Sequence, residues 1–421
     1  MMKINNKSFI LCLVIFISVL LIGCSNGEAV DDAESYITQV EDIDIPDNVK
    51  LIGLGEATHG NIEFQKLKKD VFEVLIKNEN VRVFVLEGDF GGGQQINQFI
   101  LNGNGTAEEA VNTLDYSIYK TEQMVNLVQW MHDYNATASE EEKVYFYGND
   151  MQRYDYSKKG VLEYYKAVNP NMFKNYDSKL ELVTNEKMRE LTKEQLQDIN
   201  ETVENIILDL QSNKAAYAEQ SSEESHVFAL QNAQILKQRT QLFLNEGEYT
   251  QLRDQYLTDN LQWIIDYEAA RGNEKVFING HNGHIEKTSA SLAGYKSMGN
   301  YLDERYGEEY FAIGSDFIKS KFQSKNGSGE RKNFTVKNHN DLVDAFSEVE
   351  SNTFFVDFEN ASESDELSDI ISSEQKMANI GDDFRMWYKF LKMFYTIEMT
   401  PNEAYDGMII VKEATPTSVK E

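Results

Sequence analysis

Residues 50–89 read KLIGLGEATHGNIEFQKLKKDVFEVLIKNENVRVFVLEGD. Two short apolar runs, KLIGLG and VRVFVLEGD (81–89), have the length and composition of buried strands. Between them Phe64, Leu67, Val71, Val74 and Leu75 recur at helical spacing and mark one apolar face. This is a strand–helix–strand unit. Each strand runs straight into polar groups: Glu56 and His59 after the first, Glu87 and Asp89 after the second.

Reading outward, QQINQFILNG and TEQMVNLVQWMHDYNA have helical patterns, and KVYFYGND (143–150) is a third strand ending on Asn149 and Asp150. This alternation implies an α/β fold with a largely parallel central sheet flanked by helices. Residues 155–272 lack strand patterns and are rich in Glu, Gln, Leu and Lys at helical spacing, as in LTKEQLQDINETVENIILDLQ. They read as a large helical lobe inserted into the α/β core, with a separate helical domain as the alternative. The core then comprises residues 49–154 and 273–421. Its second part opens with KVFING (275–280), followed by YFAIGSDF, NFTVKN, TFFVDF and GMIIVK as short strands. FQSKNGSGERKN reads as a loop or hairpin tip.

Residues 1–23 stand apart. Lys3 and Lys7 precede an apolar run from Phe9 to Ile22, and the stretch closes on Leu21-Ile22-Gly23-Cys24. A charged start and a short apolar run make a signal peptide. The run is shorter than the ~20 residues of a membrane-spanning helix. The ending resembles a bacterial lipobox, which implies a lipid on Cys24 and an extracytoplasmic protein anchored to the membrane. Residues 24–48, beginning SNGEAVDDAES after the cysteine, then read as an acidic tether. The other cysteine, Cys12, lies in the signal, so cysteine nucleophiles and thiolate metal sites are excluded from the mature fold.

The formal net charge is −30, and losing Lys3 and Lys7 with the signal takes it to −32. Such a surface repels nucleic acid, so no nucleic-acid partner is expected. A hydrophobic content of 41% and an aromatic content of 11% place the chain among globular proteins.

In open α/β sheets, ligands bind outside the carboxyl ends of the strands. Four such ends carry acids or imidazoles: Glu56 with His59, Glu87 with Asp89, Asn149 with Asp150, and His281 with His284 in VFINGHNGHI (276–285). Three of the six histidines fall in these blocks, whereas His132, His226 and His339 lie in polar or helical contexts and read as structural. There is no G-x-S-x-G nucleophile elbow and no G-x-x-x-x-G-K-[ST] phosphate loop. His59, His281, His284 and Glu56 or Glu87 could together form a nitrogen and oxygen metal site, so a metal-dependent ester or peptide hydrolase is one alternative. A non-catalytic surface binding protein is another.

The blocks GLGEATHGNIEF, VFVLEGD, YGND and INGHNGHI together resemble the erythromycin esterase family. The resemblance implies an α/β core with a large helical section. It also implies hydrolysis of a carboxylic ester or macrocyclic lactone by water, usually with no metal and with no cofactor. His59 matches the family's water-activating base, Glu56 and Glu87 its neighbouring acids, and His281 and His284 its second histidine pair. Family members carry an arginine on the helix after the first histidine, where this chain has Lys66, Lys68 and Lys69. Lys68 is taken for that substrate-binding place, together with Asp150. The implied partner is a small-molecule ester or lactone, with macrolides one option.

Overall fold

The computed structural model describes residues 27–292 and 294–420. The signal peptide and Cys24 lie outside the described residues. At the centre is an eight-stranded sheet made of β1 (Leu51–Glu56), β2 (Val83–Asp89), β3 (Tyr145–Asp150), β4 (Val276–His281), β5 (Tyr310–Lys325), β6 (Arg331–Lys337), β7 (Thr353–Asp357) and β10 (Gly407–Ala414). The order is β3-β2-β4-β1-β5-β10-β7, with β6 on the far half of β5. All neighbours from β3 to β10 run parallel; β7 and β6 pair antiparallel. A mostly parallel α/β sheet is therefore the observed fold.

Alternate residues of each strand serve different faces, as the period of two requires. Ile52, Leu54, Phe84, Leu86, Phe146 and Phe277 point to one side, where they meet the apolar stripe of helix Ile62–Glu79 and the helices Phe90–Asn102 and Glu122–Thr137. Leu51, Val83, Val85, Tyr147, Val276 and Ile278 point to the other and share a single buried cluster with the helices from 155 to 269. Burial on both faces explains why the strands read as continuous apolar runs rather than alternating ones.

The glycine-rich stretch after β2 is a packing device. Asp89 caps helix Phe90–Asn102 by accepting from the Gly92 amide at 2.5 Å. A Cβ on Gly93 would lie 2.3 Å from the backbone nitrogen of Gly148 on β3. Only glycine lets that helix lie so close to the strand.

Two departures from the sequence reading stand out. The tether expected over residues 24–48 is packed from Gly27 onward. Val30, Ala33, Val40, Ile43 and Ile45 are buried, and Thr38 exchanges both backbone hydrogen bonds with Phe355 on the edge strand β7. Apolar side chains recurring among the acids supply enough buried surface to hold the segment, and it shields a sheet edge. The second departure is a small hairpin of β8 (Gln375–Ala378) and β9 (Thr396–Met399). Strands of four residues leave no periodic signal.

Candidate active site

β1, β2 and β4 are neighbours in the sheet although they are far apart in sequence, with β4 lying between the other two. Successive connections run outward from this place in opposite directions, which opens a crevice at the strands' carboxyl ends. A cavity of about 310 Å³ lies there. His59, Glu87, Asp150, His281 and His284 line it, joined by Tyr116, Tyr119 and Arg253.

His59 is held from behind. Its Nδ1 lies 2.6 Å from Glu56 Oε1, and its carbonyl accepts from Gln65 Nε2 at 2.9 Å. Glu56 is buried, and its other oxygen takes a hydrogen bond from Lys68 Nζ at 2.8 Å. Lys68 also donates to Gln65 Oε1 at 2.9 Å. Helix Ile62–Glu79 thus fixes the carboxylate that fixes the imidazole. Nδ1–H donates to Glu56, which leaves Nε2 as the unprotonated nitrogen of the neutral ring, with no hydrogen bond to the described protein. Burial works against a charge on His59, but Glu56 and Glu87 outweigh it and raise its pKa above 6.5. Burial would likewise raise Glu56, but Lys68 and His59 hold it below its ordinary 4.5. Lys68 is wholly buried, and the structure places it behind Glu56 rather than on the cavity wall.

Glu87 is the hub. One oxygen accepts from the His281 backbone amide at 2.8 Å and the other from Arg253 Nη2 at 2.7 Å. His284 Nε2 is 3.3 Å from that second oxygen. Burial would raise the Glu87 pKa, but His284, Arg253 and His59 hold it far below 4.5. Arg253 Nη2 also donates to Asp150 Oδ2 at 2.7 Å. Tyr116 donates to the same carboxylate oxygen at 3.1 Å, and Tyr119 donates to the Glu87 carbonyl at 2.7 Å.

The two histidines of the second block are pushed apart. Burial lowers His281 to about 4, helped by the neighbouring His59, whose ring centroid is 5.1 Å away. His281 is therefore neutral, and its Nε2–H donates to the Ile380 carbonyl at 3.1 Å. His284 feels the same burial, but Asp254 and Glu87 overcome it and raise it to about 9. Its Nδ1 lies 2.7 Å from Asp254 Oδ1. Asn282 pins the turn that carries both: its amide donates to the Ser315 and Ala378 carbonyls at 2.7 and 3.1 Å. A Cβ on Gly55 would lie 2.4 Å from Asn282 Oδ1, so that glycine makes room for the pin.

Among the described residues, no three His, Cys, Asp or Glu side chains are arranged to hold a metal ion. The donors named for such a site are turned to other partners: Glu56 to Lys68 and His59, Glu87 to Arg253 and the His281 amide.

The remaining histidines lie elsewhere. His226 is buried against the Tyr164 hydroxyl at 3.0 Å, His132 packs on Phe99, and His339 meets Asp344 at 2.8 Å. Sequence reasoning missed Arg253 and Asp254, both on helix Tyr249–Ala269. A signal for Asp254 existed. It falls on the same helical stripe as Leu257, Leu261 and Ile264, all buried, so it is a charge on an apolar face.

The family model for erythromycin esterase matches residues 76–414. Erythromycin esterase type II of Escherichia coli is 23% identical over 293 residues, covering 63% of this chain and 68% of that one. A Bacillus cereus protein of known structure superposes with a TM-score of 0.77 at 24% identity, over 89% of this chain and 91% of the other. A succinoglycan biosynthesis protein gives 0.74 at 21%, over 89% and 90%. A mutant of erythromycin esterase EreC in its open conformation gives 0.64 at 16%, over 87% and 91%. The structural likenesses establish a shared fold, and the family match extends through most of the sequence. The chain belongs to the erythromycin esterase family.

Proposed function

We propose that the protein hydrolyses a carboxylic ester or lactone with water activated by His59. The observation that carries this reading is the 2.6 Å contact between His59 Nδ1 and buried Glu56, which leaves Nε2 as a base at the cavity. A buried carboxylate orients the ring and stabilises the imidazolium once it forms. Water gives its proton to Nε2 while its oxygen attacks the ester carbon. Neutral His281 offers Nδ1 as an acceptor that helps hold that water. His284, kept protonated by Asp254 and Glu87, and Arg253 beside it supply positive charge for the growing oxyanion. The C–O bond then breaks, the alkoxide takes a proton from an imidazolium, and acid and alcohol leave. Lys68 acts through Glu56 in this reading, and Asp150 acts through Arg253.

The test is a screen of the purified protein against lactones, macrolides included, and simple esters, with His59→Ala as the blank and a chelator arm. Hydrolysis that needs His59 and survives chelation supports the proposal. Activity abolished by chelation and restored by one metal ion per chain would establish the metal-dependent alternative instead.

We propose further that the protein is a membrane-anchored lipoprotein. Cys24 carries lipid and holds the protein at the outer face of a membrane. Cys24→Ser should abolish metabolic lipid labelling; labelling equal to wild type would refute it.

A further inference from the structure

Eight large apolar side chains are exposed among the described residues, and five of them lie within eight positions: Met386, Trp387, Phe390, Leu391 and Met393. They belong to the loop between β8 and β9, residues 379–395, which after Asp382 and Asp383 reads FRMWYKFLKMFY from 384 to 395. That stretch has three cations, Arg385, Lys389 and Lys392, and no acid, in a chain of net charge −30. The loop is preorganised. Trp387 stands edge-on to Tyr388 and Phe394, with centroids 4.7 and 4.6 Å apart, and Tyr388 stacks on Phe394. Phe384 and Tyr395 are buried at its base.

The described chain begins nearby. The Gly27 amide donates to Asp344 Oδ2 at 3.0 Å, Asp344 Oδ1 meets His339 Nδ1 at 2.8 Å, and the His339 carbonyl accepts from Lys392 Nζ. Three bonds in series thus connect Gly27 to the exposed loop. The described chain therefore begins on the same side of the molecule as the loop.

We propose that the loop 384–395 is a membrane-docking surface that seats the domain on an anionic bilayer. Aromatic and aliphatic side chains enter the interface while Arg385 and Lys389 meet lipid phosphates. The rest of this acidic surface would be repelled by anionic lipid, so the basic loop also sets orientation. Gly381 and Asp382, in the same loop just before that stretch, line the candidate site's cavity, so the cavity opens beside the docked face.

The experiment uses the full-length chain with vesicles of phosphatidylglycerol and brominated phosphatidylcholine, and reads tryptophan emission. It requires no hydrolysis, so it is independent of the catalytic proposal. The chain should float with the vesicles, and part of its emission should be quenched. Trp387→Phe should remove the quenched part, because Trp130 and Trp263 lie in other helices. Arg385→Glu with Lys389→Glu should reduce quenching severalfold, with unchanged melting as the check on folding. Three results would overturn the proposal: no flotation, quenching that Trp387→Phe leaves intact, or shielding of Trp387 that grows with protein concentration in the absence of lipid, which would mean self-association.

Discussion

Arg253 and Glu87, 166 residues apart in sequence, are joined at 2.7 Å, and the same guanidinium nitrogen reaches Asp150 at 2.7 Å. One side chain from the helical lobe thereby ties together the ends of β2 and β3. Removing a partner from a buried ion pair leaves an uncompensated charge, at a cost of ~3–5 kcal/mol. Arg253→Met should therefore lower stability by about that range in a urea melt and depress turnover. Arg253→Lys should recover part of the stability but little of the turnover, because an ammonium lacks the planar fork.

The opposed histidines set the pH response. His284, raised to about 9 from 6.5, adds stability that is complete below 6.5 and lost as pH climbs toward 9. His281, lowered to about 4, adds a penalty that grows as pH falls from 6.5 toward 4. Together they place a stability maximum near 6.5, with each arm on the order of 3 kcal/mol at ~1.4 kcal/mol per pH unit. His284→Asn should flatten the alkaline arm and His281→Asn the acid arm of melts taken across pH. The rate profile should rise through a value above 6.5, as His59 loses its proton, and fall near 9 with His284.

Lys68 offers a separate test. Among the described residues its hydrogen-bonding side-chain partners are Glu56 and Gln65, and it is wholly buried. Lys68→Met should destabilise the fold by roughly 3 kcal/mol, since Glu56 keeps its charge in a dry site. Substrate affinity should change little if the lysine acts only through Glu56. A raised KM with unchanged kcat and stability would show instead that Lys68 touches substrate.

The strand ends were legible because polar residues interrupt apolar runs there, and the sheet delivers them all to one crevice. Glu56, His59, Glu87, Asp150, His281 and His284 come together for that reason. Arg253 was hidden because a charge on a helix ordinarily means a solvated face and its carboxylate partners lie 103 and 166 residues away, whereas Asp254 left a trace as a charge on an apolar stripe. The Ile380 carbonyl was hidden more deeply, since it depends on where a hairpin of four-residue strands falls. In residues 27–48 the acidic composition masks sparse apolar positions, Val30, Val40 and Ile43, which the structure buries.

The most direct measurement is turnover of His59→Ala on whichever ester the screen identifies, with a thermal melt on the same sample. A general base contributes roughly 10²–10⁴-fold in rate. Glu56 retains Lys68 as a partner when His59 is lost, so the fold should hold. The expected result is a fall in turnover of at least about 10²-fold with a melt close to wild type. A His59→Ala protein that melts normally and hydrolyses the ester at the wild-type rate would contradict the mechanism.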